Sequence, residues 1–279
     1  SQFSILLARR WKIFFRDRAG LYLQIALLIG FPILVVIFAL HGLPQIRNLN
    51  GVISGNVLEQ LKNEVSLSAE LMKSGSLVSG LVMFQVILLA LIGSNNGARE
   101  IAGERLIFEK EKFSGVRVSA YVASKACFLG TLILIQSIWM AVFVHLVVRF
   151  DGNLPNQTIL LILVNASLTF ICLGLSSLMK TAEQASLVSV YLVGFQLPLS
   201  GAVLALPTAL STLTQPFIAS YWGWSGFIQT MQQTRSYDAV LTVTQTNPAP
   251  VGHCFWWLGC HLILGLIITY TGCKNSRWD

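Results

Sequence analysis

Six stretches of the chain, residues 21–40, 76–93, 126–148, 158–179, 184–206 and 254–272, contain no Lys, Arg, Asp or Glu. Each approaches the ~20 residues that an α-helix needs to cross ~30 Å of hydrocarbon. Lipid offers no partner for a bare backbone N–H or C=O, so a spanning segment must be a helix or part of a closed barrel. The short alternating segments of a barrel are absent. With 54% apolar and only 11% charged residues, the chain reads as an all-α membrane protein of six transmembrane helices rather than a large soluble core.

Lysine and arginine set the expected orientation. With both termini in the cytoplasm, fourteen of the nineteen basic residues fall inside, leaving Arg47, Lys62, Lys73, Arg149 and Arg235 outside. That bias suits a multi-pass protein of the cytoplasmic membrane. Anionic membrane lipids account for the net charge of +7 without any nucleic-acid partner. Residues 1–20 mix Phe3, Leu6, Leu7, Ile13, Phe14 and Phe15 with basic residues, as expected of an amphipathic elbow helix lying in the inner interface. The apolar run that follows reads as a retained anchor, not a secretory leader.

The polar remainder is unevenly spread. Residues 94–125 form the expected cytoplasmic loop, and within it residues 96–125 hold six of the nineteen basic and four of the twelve acidic residues. In residues 41–75, Leu58, Leu61, Val65, Leu71 and Met72 recur at helical spacing and predict a helix resting on the outer surface. Residues 207–250 predict re-entrant helices, with Phe217, Tyr221, Trp222, Trp224 and Phe227 anchored at the membrane boundary. Pro32 and Pro198 are expected to kink or open their spans.

Within the spans the polar side chains include Gln24, Gln85, Gln136, His145, Asn165 and Gln196, which suit hydrogen bonds between helices. No phosphate-cradling glycine loop, His-Glu-x-x-His motif or charged relay inside a span occurs, so the chain holds no evident energy source. The scattered cysteines read as packing residues. His253, Cys254, Cys260 and His261 lie too far apart along one helix to hold a single metal ion.

The run Glu104-Arg105-x-x-Phe108-x-x-Glu111-x-x-x-Gly115, followed by Ser119-Ala120-Tyr121 and Ser124-Lys125, resembles the first cytoplasmic loop of type-2 ABC exporter permeases of the ABCG/White kind. Arg9-Arg10 and Arg16-Asp17-Arg18 match that family's basic elbow. Thr181-Ala182-Glu183-Gln184-Ala185 and Leu199-Ser200-Gly201 match the start and end of its fifth span. The likeness covers nearly the whole chain and is closest to bacterial half-transporters that join the permease to an ATPase and often to forkhead-associated domains. At the position of the family's aromatic substrate clamp stands Ile92, and Ala202-Val203 take the place of its bulkier plug.

The resemblance implies a single permease domain, working as a homodimer among membrane lipids. A nucleotide-binding ATPase domain, in the same polypeptide or a separate subunit, would bind ATP and Mg. Glu104, Arg105, Phe108 and Glu111 would couple to it, with Leu106 and Phe108 docked in its groove, and Arg16 or Arg18 would pair with Glu104. Gln85, Ile92 and Gln196 would line the path of an amphipathic or lipid-like substrate, and Ala202 and Val203 would gate it. Swinging a cavity from 1:99 to 99:1 needs ~5.5 kcal/mol of differential binding, so the contact must be stiff. Two other readings compete. One is a membrane scaffold or sensor that keeps the architecture without transport. The other is an intramembrane serine protease built on Gly223-Trp224-Ser225-Gly226 with His253 or His261 as base.

Overall fold

The computed structural model describes residues 2–40, 57–202 and 207–276, and every regular element among them is helical. The helices are α1 (Gln2–Arg16), α2 (Arg18–Phe38), α3 (Val57–Ala98), α4 (Arg105–Phe113), α5 (Val118–Val148), α6 (Leu154–Leu178), α7 (Ala182–Gln196), α8 (Thr208–Thr214), α9 (Ala219–Gln229), α10 (Arg235–Thr244) and α11 (Val251–Asn275). Five of these regions, at α2, α3, α5, α6 and α11, are long and apolar enough to cross a membrane. The elbow is a separate helix, because Asp17 interrupts it. Its carboxylate accepts from the Gly20 N–H at 3.1 Å and so caps the first turn of α2.

Two sequence expectations change here. The outer amphipathic segment does not form its own surface helix: within the described residues it continues unbroken into the second span, giving an α3 of 42 residues, about 63 Å long at 1.5 Å per residue. The fifth span is not one long helix either. Pro198 lacks an N–H for the ladder, and α7 ends at Gln196 after 15 residues, followed by a 3-10 turn over Pro198–Ser200.

At the centre stands α6, packed most extensively against α11 and α3. Close approach there depends on missing side chains: a Cβ on Gly265 would lie 2.5 Å from the backbone carbon of Phe170, and one on Gly97 would strike the Thr169 carbonyl. Small residues let helix backbones touch where lipid tails compete for apolar contact. The helix α9 fills the bundle. Every residue from Ala219 to Ile228 is buried, Trp224 completely. The expected aromatic anchor at the membrane boundary is therefore largely core, and Phe217 alone of the five rings is exposed, at 74%. Eleven residues span about 16 Å, too short to cross, so α9 is a plug inside the fold.

These contacts set opposite expectations for two glycines of α11. Gly265→Leu pushes α11 off α6 and lowers stability by about 2 kcal/mol or more. Gly259→Ala meets nothing within 4 Å and leaves stability unchanged or raises it by up to ~1 kcal/mol through helix propensity. Thermal unfolding of both variants in detergent checks the pair.

Candidate functional site

The segment between α3 and α5 folds back on the bundle as a hairpin built around α4. Its entry is fixed by Ser176 of α6, whose hydroxyl accepts from the N–H groups of Ile101 at 3.2 Å and Ala102 at 2.9 Å. Its exit is a Schellman turn, with Val116 N–H donating to the Glu111 carbonyl and Gly115 N–H to Lys112. Gly115 sits at φ 93°, a left-handed conformation that favours glycine. That gives a physical reason for a glycine four residues after Glu111.

Every acid of the hairpin is paired within the chain. Glu100 takes Arg10 through Nε at 2.5 Å and Nη2 at 2.6 Å, and also Lys125 at 2.9 Å. Glu104 takes the same Lys125 at 2.7 Å. Glu109 pairs with Arg105 at 3.2 Å, one helical turn away. Glu111 is gripped by both terminal nitrogens of Arg9. That hydrogen bond, followed by the charges of Glu111 and Glu104, raises the Arg9 guanidinium above its already high pKa, so Arg9 stays charged at any physiological pH.

The cations of the hairpin reach further still. Arg105 donates to the Met179 carbonyl at 2.6 Å, holding the end of α6. The Lys112 ammonium donates to the carbonyls of Cys273, Lys274 and Ser276 at 3.1, 2.7 and 3.1 Å. These belong to the end of α11, where unpaired carbonyls and the negative end of the helix dipole favour a cation.

Of the expected coupling residues, Glu104, Arg105 and Glu111 are thus internal braces. Phe108 is 1% exposed and stacked on Tyr121 at 4.1 Å between ring centroids, so in this chain it packs the hairpin inward against α5. The apolar side chains that α4 does expose are Leu106, Ile107 and Phe113. The elbow expectation also moves, because Glu104 takes Lys125, and Arg9 and Arg10 make the elbow contacts while Arg16 and Arg18 are exposed.

The expected path residues are dispersed. Ile92 is buried in the apolar core. Gln85 is buried as well, with its Oε1 lacking a hydrogen-bond partner, and beside it lies a void lined also by His145 and Gln157. Gln196 accepts from the Ser220 N–H at 3.0 Å, joining α7 to α9. Ala202 packs against the core, and Val203 lies outside the described residues. The serine-protease geometry is not assembled: the Ser225 hydroxyl is fully buried and accepts from the Ala249 N–H at 2.5 Å. His253 is exposed, and His261 bonds the Trp257 carbonyl at 2.8 Å.

The polar residues of three spans converge in a way that spacing alone does not reveal. Gln24 donates to Asn96, Asn96 to Gln136 and Gln136 back to Gln24, each at 2.8 Å. This closed ring of amides ties α2, α3 and α5 together just above the ion pairs. Gln24 and Gln136 stand out in the sequence as polar groups inside apolar runs. Asn96 falls in what reads as loop, and Lys125, the hub of the ion pairs, marks only the end of that loop. The lone ammonium at the head of an otherwise apolar run was the available signal.

The fold is that of a multi-pass helical bundle with a polar hairpin braced against one end. The chain belongs to the ABC-2 type transporter family, whose model matches residues 1–231. It is 23% identical over 192 residues to an ABC transporter ATP-binding/permease protein of Mycobacterium tuberculosis, a match covering 64% of this chain and 22% of that protein. The chain is therefore the permease kind of domain within that family, and it corresponds to under a quarter of that relative's length.

Removing the hub ammonium leaves two carboxylates facing each other at a buried site. Lys125→Met is expected to lower stability by ~3 kcal/mol, and adding Glu104→Gln restores part of the loss. Urea titration followed by tryptophan fluorescence in mild detergent reads both.

Proposed function

We propose that this domain is the membrane half of an ATP-driven exporter, moving an amphipathic or lipid-like substrate by alternating access as a homodimer. The energy comes from a nucleotide-binding ATPase domain that holds ATP and Mg. The fused ATP-binding/permease relative supports such a partner. The observation that carries the reading is the two-sidedness of α4. One side is fastened to α1, α6 and α11 by charge and by buried Phe108, while Leu106, Ile107 and Phe113 are left exposed. A stiff element with an unpartnered apolar edge is what a motor domain needs to grip.

A second exposed stripe serves the dimer. Leu187, Val190, Tyr191 and Phe195 of α7 are each more than half exposed, and their spacing puts them on one helical face. Two copies meeting across this face enclose a path between them. Its exit lies toward the break at Pro198 and the gate residue Ala202.

Two measurements test this. With the ATPase present, replacing Leu106, Ile107 and Phe113 together by Ala lowers substrate-stimulated ATP hydrolysis at least about tenfold, a loss of ~1.4 kcal/mol in coupling, while the fold is retained. Unchanged stimulation removes the coupling role and favours the scaffold reading. In a cysteine-free background, Tyr191→Cys cross-links into a dimer in native membranes with a short bismaleimide. A monomer under conditions that label the thiol fully rejects the α7 face.

A further inference from the structure

At the base of the bundle, the elbow, the start of α2, the end of α3 and α5 leave a cavity of about 400 Å³ between them. It falls within the usual size range of small-molecule sites. We propose that this cleft binds the phosphoethanolamine headgroup of a membrane aminophospholipid, one per chain, from the leaflet that the elbow helix faces. The inference concerns a site within one protomer and stands whether or not the chain exports anything.

Charge complementarity selects the headgroup. The wall carries two guanidinium groups, Arg10 and Arg99, and three carboxylates, Asp17, Glu100 and Glu104. Lys125 behind Glu100 and Glu104 brings the set to neutrality. A net anion gains nothing from a neutral wall, whereas a zwitterion can match both signs. Arg99 uses Nε on Ser186 at 3.1 Å, and the terminal nitrogens of its fork suit a phosphate. Asp17 uses Oδ1 on the Gly20 N–H, and Glu104 uses Oε2 on Lys125. Each carboxylate has a second oxygen for an ammonium. A primary ammonium donates hydrogen bonds to those oxygens and a trimethylated one does not, so the cleft distinguishes ethanolamine from choline heads.

The rest of the wall fits the remainder of a lipid. The amide ring uses one donor and one acceptor of each amide, so Gln24 and Asn96, which also line the cleft, keep a second N–H and a second lone pair for glycerol and ester oxygens. Leu23, Phe14 and Leu132 complete an apolar side. Beyond it the outward faces of α2 and α5 expose Ile25, Ile29, Leu134 and Ile138, the surface against which acyl chains lie.

Native mass spectrometry of the full-length protein in detergent tests the site by titration with dioleoyl phosphatidylethanolamine, phosphatidylcholine and phosphatidylglycerol. One phosphatidylethanolamine binds per chain, at least about 5-fold tighter than the other two, a ratio worth ~1 kcal/mol. Asp17→Asn, which keeps the cap acceptor, and Arg99→Gln each weaken it by a similar factor with unchanged unfolding temperature. Gly103 borders the cleft and a side chain there enters open space, so Gly103→Phe fills the site and abolishes binding. Equal affinity for all three lipids, preference for phosphatidylglycerol, or retention of binding in Gly103→Phe overturns the proposal. So does soluble glycerophosphoethanolamine competing as strongly as the lipid, because the site then takes a solute instead of a membrane component.

Discussion

The Lys125 ammonium, 3% exposed and held between Glu100 and Glu104, is the interaction on which the inner end of the molecule depends. A buried charge is tolerated only when paired and hydrogen-bonded. Here the pairing extends outward, since Glu100 also takes Arg10 of the elbow. The result is a neutral four-membered network joining α1, the end of α3, the hairpin and α5. Around it the longer side chains Arg9, Arg105 and Lys112 reach the hairpin from, or anchor it to, α1, α6 and α11. What looks in one dimension like a solvated loop is in three dimensions the fastening of the bundle.

Much of the architecture could be read from the chain before any coordinates. Lipid forbids unpaired backbone groups, so charge-free runs near twenty residues translate directly into helices, and α2, α5, α6 and α11 fall where the runs are. The failures have definite causes. Pro198 sits inside an apolar run, and only the fold decides whether such a residue kinks a helix or ends it. The aromatic stretch around Trp224 looks like a boundary belt because ring side chains suit both an interface and a core. Its four glycine and serine neighbours, Ser220, Gly223, Ser225 and Gly226, were the sign of close packing: Cβ atoms on the two glycines would collide with Val164 and Leu160 of α6.

The site was legible in part for a similar reason. A sequence shows which residues carry charge and not where each charge is spent. Phe108 and Leu106, two positions apart on α4, look equivalent by hydropathy, yet one is stacked on Tyr121 and the other faces out. The amide ring shows the same limit: Gln24, Asn96 and Gln136 are separated by 72 and 40 positions, and no local pattern connects them. Once closed, the ring is demanding. Loss of any one amide leaves the other two with a missing donor and a missing acceptor.

The length of α3 has a mechanical meaning. A helix of about 63 Å is twice the thickness of the hydrocarbon it crosses. Its inner end leads straight into the hairpin, and its outer part lies backbone to backbone on α10, where Gly75 meets the Ala239 carbonyl. A tilt of about 10° pivoted at the inner end carries the far tip about 11 Å for a rod of that length. A helix this long therefore acts as a lever, so that any turn near the ion pairs would be felt most at the far tip of α3, where it meets α10.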